Sequence, residues 1–309
     1  MQAPLPRLTL LNVTLPPNAP SHFLELWNPA SQDPGAAQSA APLGVVLALS
    51  GGFARGFAHL GVLDVLEHAR IPVSAIVGTS IGAVLGAAYA GGCTVEELCS
   101  LARGIRMRDL LHGQGSGRDL LGRLLGQCLR VERIEQLHIP LAVVATEVNT
   151  GAPHTFTDGP LEIALRASCA FPGLFKPVQY RGHTFVDGCI ACSVPAEIAA
   201  RMNAACVLGV AVQIEREEFA RERGNRKRRN VQDRKAAPDS GWAAHADIVL
   251  HPPVQHLNWA DFSRVDEAVE AGARAMHEAL PRVHHLLYRR SPLPVPATQS
   301  GRVNPDGLR

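Results

Sequence analysis

From Ile71 to Val95 the chain carries no charged side chain. An uncharged run of that length belongs either in a bilayer, which a helix of about 20 apolar residues spans, or in the interior of a globular domain. The residues inside the run argue against a span. Pro72, Gly78, Gly82, Gly86, Gly91 and Gly92 interrupt it, and it divides at Gly78-Thr79-Ser80. Ala75 to Val77 reads as a short buried strand and Ile81 to Tyr89 as a buried helix. A strand that turns tightly into a helix, both hidden from water, constrains the chain to a layered sheet-and-helix fold.

The rest of the chain repeats the pattern. Val45 to Leu49 is continuously apolar, as a strand covered on both faces should be. Phe57 to His68 has helical spacing through Leu60, Leu63 and Leu66. Leu141 to Ala145 reads as a strand, Leu161 to Ser168 as a helix, and Thr184 to Val186, Val207 to Gln213 and Ile248 to Leu250 as strands. Val265, Val269, Gly272, Met276 and Leu280 recur every three or four residues, which predicts an amphipathic helix over Asp266 to Leu280, ended or kinked by Pro281. The alternation predicts an α/β fold with a mostly parallel central sheet and helices on both faces, a three-layer α/β/α arrangement.

Of 309 residues, 46% are hydrophobic and 19% charged, enough to build a core. The net charge of +2 gives no bulk attraction to nucleic acid or to an anionic membrane, so nucleic acid is not an expected partner. Seven cysteines sit in apolar segments, as buried small hydrophobes do in a reducing compartment; with no convincing export signal, a cytoplasmic location is expected. Residues 1–42, rich in Pro and Ala, read as an arm. Residues 43–288 read as the folded domain, and 289–309 as a Pro-rich tail. Inside the domain, 215–240 breaks the composition: Glu215 to Lys235 holds nine Lys or Arg and five Asp or Glu, and reads as an exposed charged excursion.

Two glycine-containing turns carry the chemistry. Ser50-Gly51-Gly52-Phe53-Ala54-Arg55-Gly56 follows the first strand and opens a helix, so its N–H groups point where an anion is stabilised. It lacks the Lys-Ser or Lys-Thr of a nucleotide P-loop and the spacing of a dinucleotide fingerprint. Gly78-Thr79-Ser80-Ile81-Gly82 is a G-x-S-x-G between strand and helix, the pattern of a nucleophile elbow. One right-handed crossover apart, the two turns should lie side by side at the carboxyl edge of the sheet. Asp187-Gly188, after the strand at Thr184 to Val186, adds a carboxylate at a strand end; its proton affinity would serve a base better if burial raised it.

Taken together these blocks resemble the patatin-like phospholipases, bacterial branch, related to the catalytic domain of neuropathy target esterase. The resemblance covers roughly Leu43 to Leu287. It includes Leu49 to Leu63, Gly78 to Gly82, Ala145-Thr146-Glu147-Val148-Asn149-Thr150-Gly151, Leu165-Arg166-Ala167-Ser168 through Pro172 and Pro177, and Val186-Asp187-Gly188. It implies a patatin-like domain and a Ser-Asp dyad with no cofactor and no metal. By position, Ser80 would be the nucleophile, Asp187 the base, and Gly51, Gly52, Phe53 and Arg55 the oxyanion loop, with Gly78 and Gly82 framing the elbow. It implies a lipid carboxylic ester as substrate, a phospholipid or lysophospholipid.

This chain departs from that pattern at three places. Phe53 stands for a third glycine, Cys189 for the second glycine after the aspartate, and Cys192 for an asparagine near the turn. They keep open a general carboxylesterase, thioesterase or acyltransferase, and a catalytically weak lipid-binding adaptor. Cys189-Ile190-Ala191-Cys192 is a CxxC without a second ligand pair, and His59 reads as a packed helix residue. His251, His256 and His277 follow Ser80 and Asp187 in the chain order of an α/β-hydrolase triad. Arg223, Arg226, Lys227, Arg228 and Arg229 form the densest basic cluster, a candidate contact for an anionic membrane surface, partly offset by Glu215, Glu217, Glu218 and Glu222.

Overall fold

The computed structural model describes residues 44–105, 129, 131–202, 204–212 and 241–290. Residues 1–42, read as an arm, the expected charged excursion 215–240 with its basic cluster, and the expected tail 289–309 apart from its first two residues, which are helical, lie outside the described residues.

Eight strands form one sheet: Val45–Leu49 (β1), Val73–Thr79 (β2), Leu141–Glu147 (β3), Pro153–Phe156 (β4), Val178–Tyr180 (β5), His183–Asp187 (β6), Cys206–Val210 (β7) and Ile248–Leu250 (β8). Followed from one hydrogen-bonded neighbour to the next, the strands run β5-β6-β3-β2-β1-β7-β8; β2 and β6 share one edge of β3, and β4 pairs with the other. The strands from β3 to β8 in that order run parallel, whereas β4 and β6 pair with β3 in the opposite sense, forming an antiparallel wing. β1 is an interior strand between β2 and β7, and every one of its side chains is buried, which is why its sequence is apolar without alternation.

The described helices are Ala58–His68 (α1), Ile81–Ala90 (α2), Val95–Arg103 (α3), Leu161–Ser168 (α4), Ala196–Ala200 (α5) and Val265–Arg290 (α6). Side chains alternate along β1, so Val45, Leu47 and Leu49 meet the large core that holds α1, α2, α3 and α6. Val46 and Ala48 meet a smaller core with Val194 and with Ala196 and Ala199 of α5. The result is the expected three-layer α/β/α arrangement, with one helical layer much thicker than the other.

The Ile71 to Val95 run resolves into β2, a turn and α2. Among the described residues no helix is long and apolar enough to cross a membrane. The long C-terminal helix is a correction: α6 does not stop at Pro281 but continues to Arg290. Proline in a helix interior costs about 3 kcal/mol. Beyond it, Val283 is fully buried and Leu286 and Leu287 pack on the main core. Burial of such side chains is worth about 1.5–3 kcal/mol each, enough to carry the helix past the break.

Candidate active site

The register of β3 explains how Ser80 meets Asp187. Along its outer edge β3 pairs with β4 over Val143 to Thr146. On the opposite edge β2 pairs with Leu141 to Val144 and stops at Thr79, opposite Val144. β6 takes the same edge from the next residue on, with Asp187 opposite Ala145. Two strands of opposite direction therefore end head to head on one edge of β3, and the residues at their ends are neighbours. The sequence placed Asp187 at a strand's carboxyl end at the sheet's site; what brings it there is an antiparallel strand running toward β2.

Ser80 caps the N-terminus of α2 with φ 53° and ψ −124°, a positive-φ conformation that costs a non-glycine residue about 1–3 kcal/mol. The neighbours make room for the turn. A Cβ at Gly78 would lie 2.4 Å from Ala83 Cα, and one at Gly82 2.5 Å from the Leu49 carbonyl oxygen. Only glycine lets the start of α2 pack this close to the ends of β1 and β2. Ser80 N–H, which helix geometry leaves without an intrahelical partner, donates to Ser168 Oγ at 2.7 Å. The turn thus lifts the hydroxyl to the carboxyl edge, where Ser80 Oγ donates to Asp187 Oδ2 at 2.8 Å.

Asp187 is buried, and its position is fixed from several sides. Oδ1 accepts from Cys189 N–H at 2.9 Å, its carbonyl accepts from Thr146 Oγ1 at 2.9 Å, and its N–H donates to Ala170 O at 3.0 Å. Burial pushes the carboxyl pKa up from 3.8 to about 6, against the hydrogen bonds from Cys189 and Ser80, which favour the ionised form. The thiol of Cys169 contacts Ser80 and that of Cys189 contacts Asp187. Burial pushes both thiols up, so they stay protonated beside the pair.

The glycine loop lies against the elbow, as the crossover predicts: a Cβ at Gly51 would lie 3.1 Å from Ser80 Cβ and 2.1 Å from Cys189 Sγ. After Gly52 the chain enters a short 3-10 helix, Phe53–Phe57, that leads into α1. Gly51 N–H donates to Ser193 O at 3.4 Å and Ala54 N–H to Trp259 O at 3.0 Å; among the described residues the N–H groups of Gly52 and Phe53 make no hydrogen bond. Phe53 has φ 49°, and its ring stands edge-on to Phe171 and Trp259, at centroid distances of 5.5 and 4.9 Å. His59 sits under the loop: its Nε2 bonds Ser50 O at 2.8 Å, and burial lowers its pKa to about 4, so it is neutral.

Arg55, in the same loop, is anchored on a distant segment. Its buried guanidinium donates from Nε to Leu257 O at 2.8 Å and from Nη2 to Gln255 O at 2.8 Å. The side chain ties the loop to residues 255–257.

The three histidines of the triad order are engaged elsewhere. His256 bonds Glu267 at 2.6 Å, His277 Nδ1 bonds Ala273 O at 2.9 Å, and His251 lies edge-on to Trp242. Cys189 and Cys192 are not joined in a disulfide, and Cys192 Sγ donates to Val194 O at 3.7 Å. Among the described residues no group of three or more His, Cys, Asp or Glu is placed to hold a metal ion. Sequence reasoning missed the roles of Ser168, Cys169 and Thr146. All three lie in blocks read as part of the resemblance, but nothing in their local pattern says which atoms they reach.

This sheet order, with a serine elbow beside a glycine loop, defines the patatin fold. The structure of VipD from Legionella pneumophila superposes with a TM-score of 0.50 at 14% identity, over 80% of this chain and 67% of that one, which bears on the fold alone. Residues 47–200 match the patatin-like phospholipase family and form a domain of that family. The chain is 34% identical over 181 residues to an NTE family protein of Mycobacterium tuberculosis, covering 54% of this chain and 49% of that protein. It is 31% identical over 186 residues to patatin-like phospholipase domain-containing protein 6 of Homo sapiens, covering 54% of this chain and 13% of that protein. The chain thus spans half or less of the length of these relatives.

Proposed function

We propose that this chain is a serine acyl hydrolase that cleaves lipid carboxylic esters, phospholipid or lysophospholipid, through an acyl-Ser80 intermediate. The observation that carries the proposal is the 2.8 Å hydrogen bond from Ser80 Oγ to a buried Asp187 carboxylate, a nucleophile and base in contact. Asp187 takes the Ser80 proton as Oγ attacks the ester carbonyl. The carbonyl oxygen becomes an oxyanion, for which the N–H groups of Gly52 and Phe53 are the available donors, worth roughly 3 kcal/mol each in such sites. Collapse expels the alcohol, which leaves with the proton from Asp187. Water then attacks the acyl-enzyme, Asp187 takes its proton, and Ser80 is restored as the fatty acid departs. Family membership supports the lipid substrate class.

The pH dependence follows from Asp187. Only its carboxylate accepts the proton, and its pKa is raised to about 6. kcat/KM for fatty-acid release from a lysophospholipid is expected to be flat above about pH 7 and to fall about tenfold per unit well below pH 6. A panel containing that lipid, a short soluble ester and an acyl thioester, assayed from pH 5 to 8, tests both parts. Preference for the soluble substrates favours the general esterase or thioesterase alternative, and no turnover of any of them contradicts the proposal.

A lipid hydrolase must also reach its substrate surface. We assign weak docking on anionic bilayers to Arg223, Arg226, Lys227, Arg228 and Arg229, which lie outside the described residues. Each basic residue near such a surface contributes about 1 kcal/mol, and salt screens it. Co-sedimentation is expected with anionic vesicles at low salt, and loss of it at high salt or when Arg226 to Arg229 are made neutral. Equal binding to neutral vesicles removes this segment from the mechanism.

A further inference from the structure

The C-terminal turn of α4 touches both members of the Ser80–Asp187 pair, and one of its contacts is a side chain with no other visible purpose. Ser168 is completely buried. Its Oγ donates to Val144 O at 2.6 Å and accepts from Ser80 N–H at 2.7 Å. A hydroxyl has one proton, so the bond to Val144 fixes its direction and turns a lone pair toward Ser80. Two residues on, Ala170 O accepts from Asp187 N–H at 3.0 Å. The turn Ser168 to Ala170 is therefore a bracket: its first residue holds the backbone of Ser80, and its last holds the backbone of Asp187. Val144, the third point of attachment, is the residue of β3 on which β2 ends.

We propose that Ser168 is a positioning residue for Ser80, holding the strained elbow at the spacing from Asp187 that attack requires. The proposal rests on the reading of Ser80 as nucleophile. Two consequences follow from the geometry. Ser80 N–H is committed to Ser168, so the oxyanion must be met by the glycine loop and not by the nucleophile's own amide. Ser168 has no exposed surface, so it acts through Ser80 and not by touching substrate. Without the hydroxyl, Ser80 N–H is left buried and unbonded, or the elbow relaxes toward an ordinary helix start and carries Oγ away from Asp187. A displacement of about 1 Å in a reacting group costs about 10²-fold in rate.

The test uses the full chain with Ser168→Ala and Ser168→Cys, the second filling the volume of the hydroxyl without replacing a strong acceptor. kcat for ester hydrolysis is expected to fall about 10²-fold in both, with KM unchanged within about twofold, because ground-state binding is untouched. A packing role alone would be repaired by cysteine, so wild-type kcat in Ser168→Cys overturns the proposal. Amide hydrogen exchange gives a readout independent of activity. Ser80 N–H should be protected in the wild type and exchange at least about 10²-fold faster in both variants. The amides of Ala83 and Val84, which bond Ser80 O inside α2, should remain protected and so report an intact helix. Equal protection of Ser80 in wild type and variants overturns the bracket even if hydrolysis is never observed. Wild-type turnover by Ser80→Ala with Ser80 protection lost in the Ser168 variants would instead refute the nucleophile and leave the bracket standing.

Discussion

Asp187→Asn is expected to slow ester hydrolysis by about 10³- to 10⁴-fold, the loss that follows removal of a carboxylate partner in related acyl transfer. The same substitution is expected to stabilise the fold at neutral pH. Asparagine has the shape of the carboxyl group and can keep two of its bonds, accepting from Cys189 N–H and donating to Ser80 Oγ. What it removes is a buried charge. The folded-state pKa of Asp187, about 6, lies above its ordinary 3.8, so the protonated form is favoured in the native state. Its stabilising effect is full below about pH 3.8 and is lost as pH rises through about 6. The rise from 3.8 to about 6 corresponds to about 3 kcal/mol, withheld from the wild type at pH 8. Denaturant unfolding of the two proteins at pH 8 and at pH 4 checks the sign: the variant should be the more stable at pH 8, and the gap should shrink toward pH 4. An active variant, or one less stable than wild type at pH 8, contradicts the role given to this carboxylate.

Ser80→Ala should remove hydrolysis down to whatever the glycine loop supplies without a nucleophile. Alanine keeps the Cβ, so the elbow keeps its contacts with Gly51, and the bond from the residue 80 amide to Ser168 is retained. Folding is expected to be close to wild type. The loss should exceed that of Asp187→Asn, since a weakly activated hydroxyl still attacks whereas an absent one does not. The two substitutions should not add: the double variant is expected to be no slower than Ser80→Ala alone, because residues that act as a unit lose their joint effect at the first deletion. Initial rates on one lysophospholipid for the four proteins decide this. Multiplicative losses would mean that Asp187 acts on something other than Ser80.

Much of this arrangement was legible in the sequence because the constraints behind it are local. An apolar run broken by glycines at Gly78 and Gly82 fits few structures other than a strand, a tight turn and a helix. Leu161 to Ser168 and Ile248 to Leu250 fall where their patterns place them. α3 was missed although its start is signalled: Thr94 and Glu97 form a capping box, with Glu97 N–H bonding Thr94 Oγ1 at 3.2 Å and Thr94 N–H bonding Glu97 Oε2 at 2.9 Å. β4 and β5 gave no comparable signal. They are only four and three residues long, and β4 begins with an exposed proline and histidine, so neither shows a period. The antiparallel sense of β6, the inward turn of Arg55 toward residues 255–257 and the reach of Ser168 are long-range. Each depends on where segments far away in the chain come to rest, and no spacing within one segment encodes that.

The central claim is that Ser80 is a nucleophile activated by Asp187, and covalent capture tests it most directly. A fluorophosphonate loses fluoride to an activated serine and remains bonded to its oxygen. Wild-type protein should incorporate one equivalent, located by tandem mass spectrometry on Ser80 within the tryptic peptide Ile71 to Arg103. Incorporation should be abolished in Ser80→Ala and should slow by orders of magnitude in Asp187→Asn, in step with loss of ester hydrolysis. Label on another residue, or hydrolysis that persists in protein fully labelled at Ser80, would contradict it.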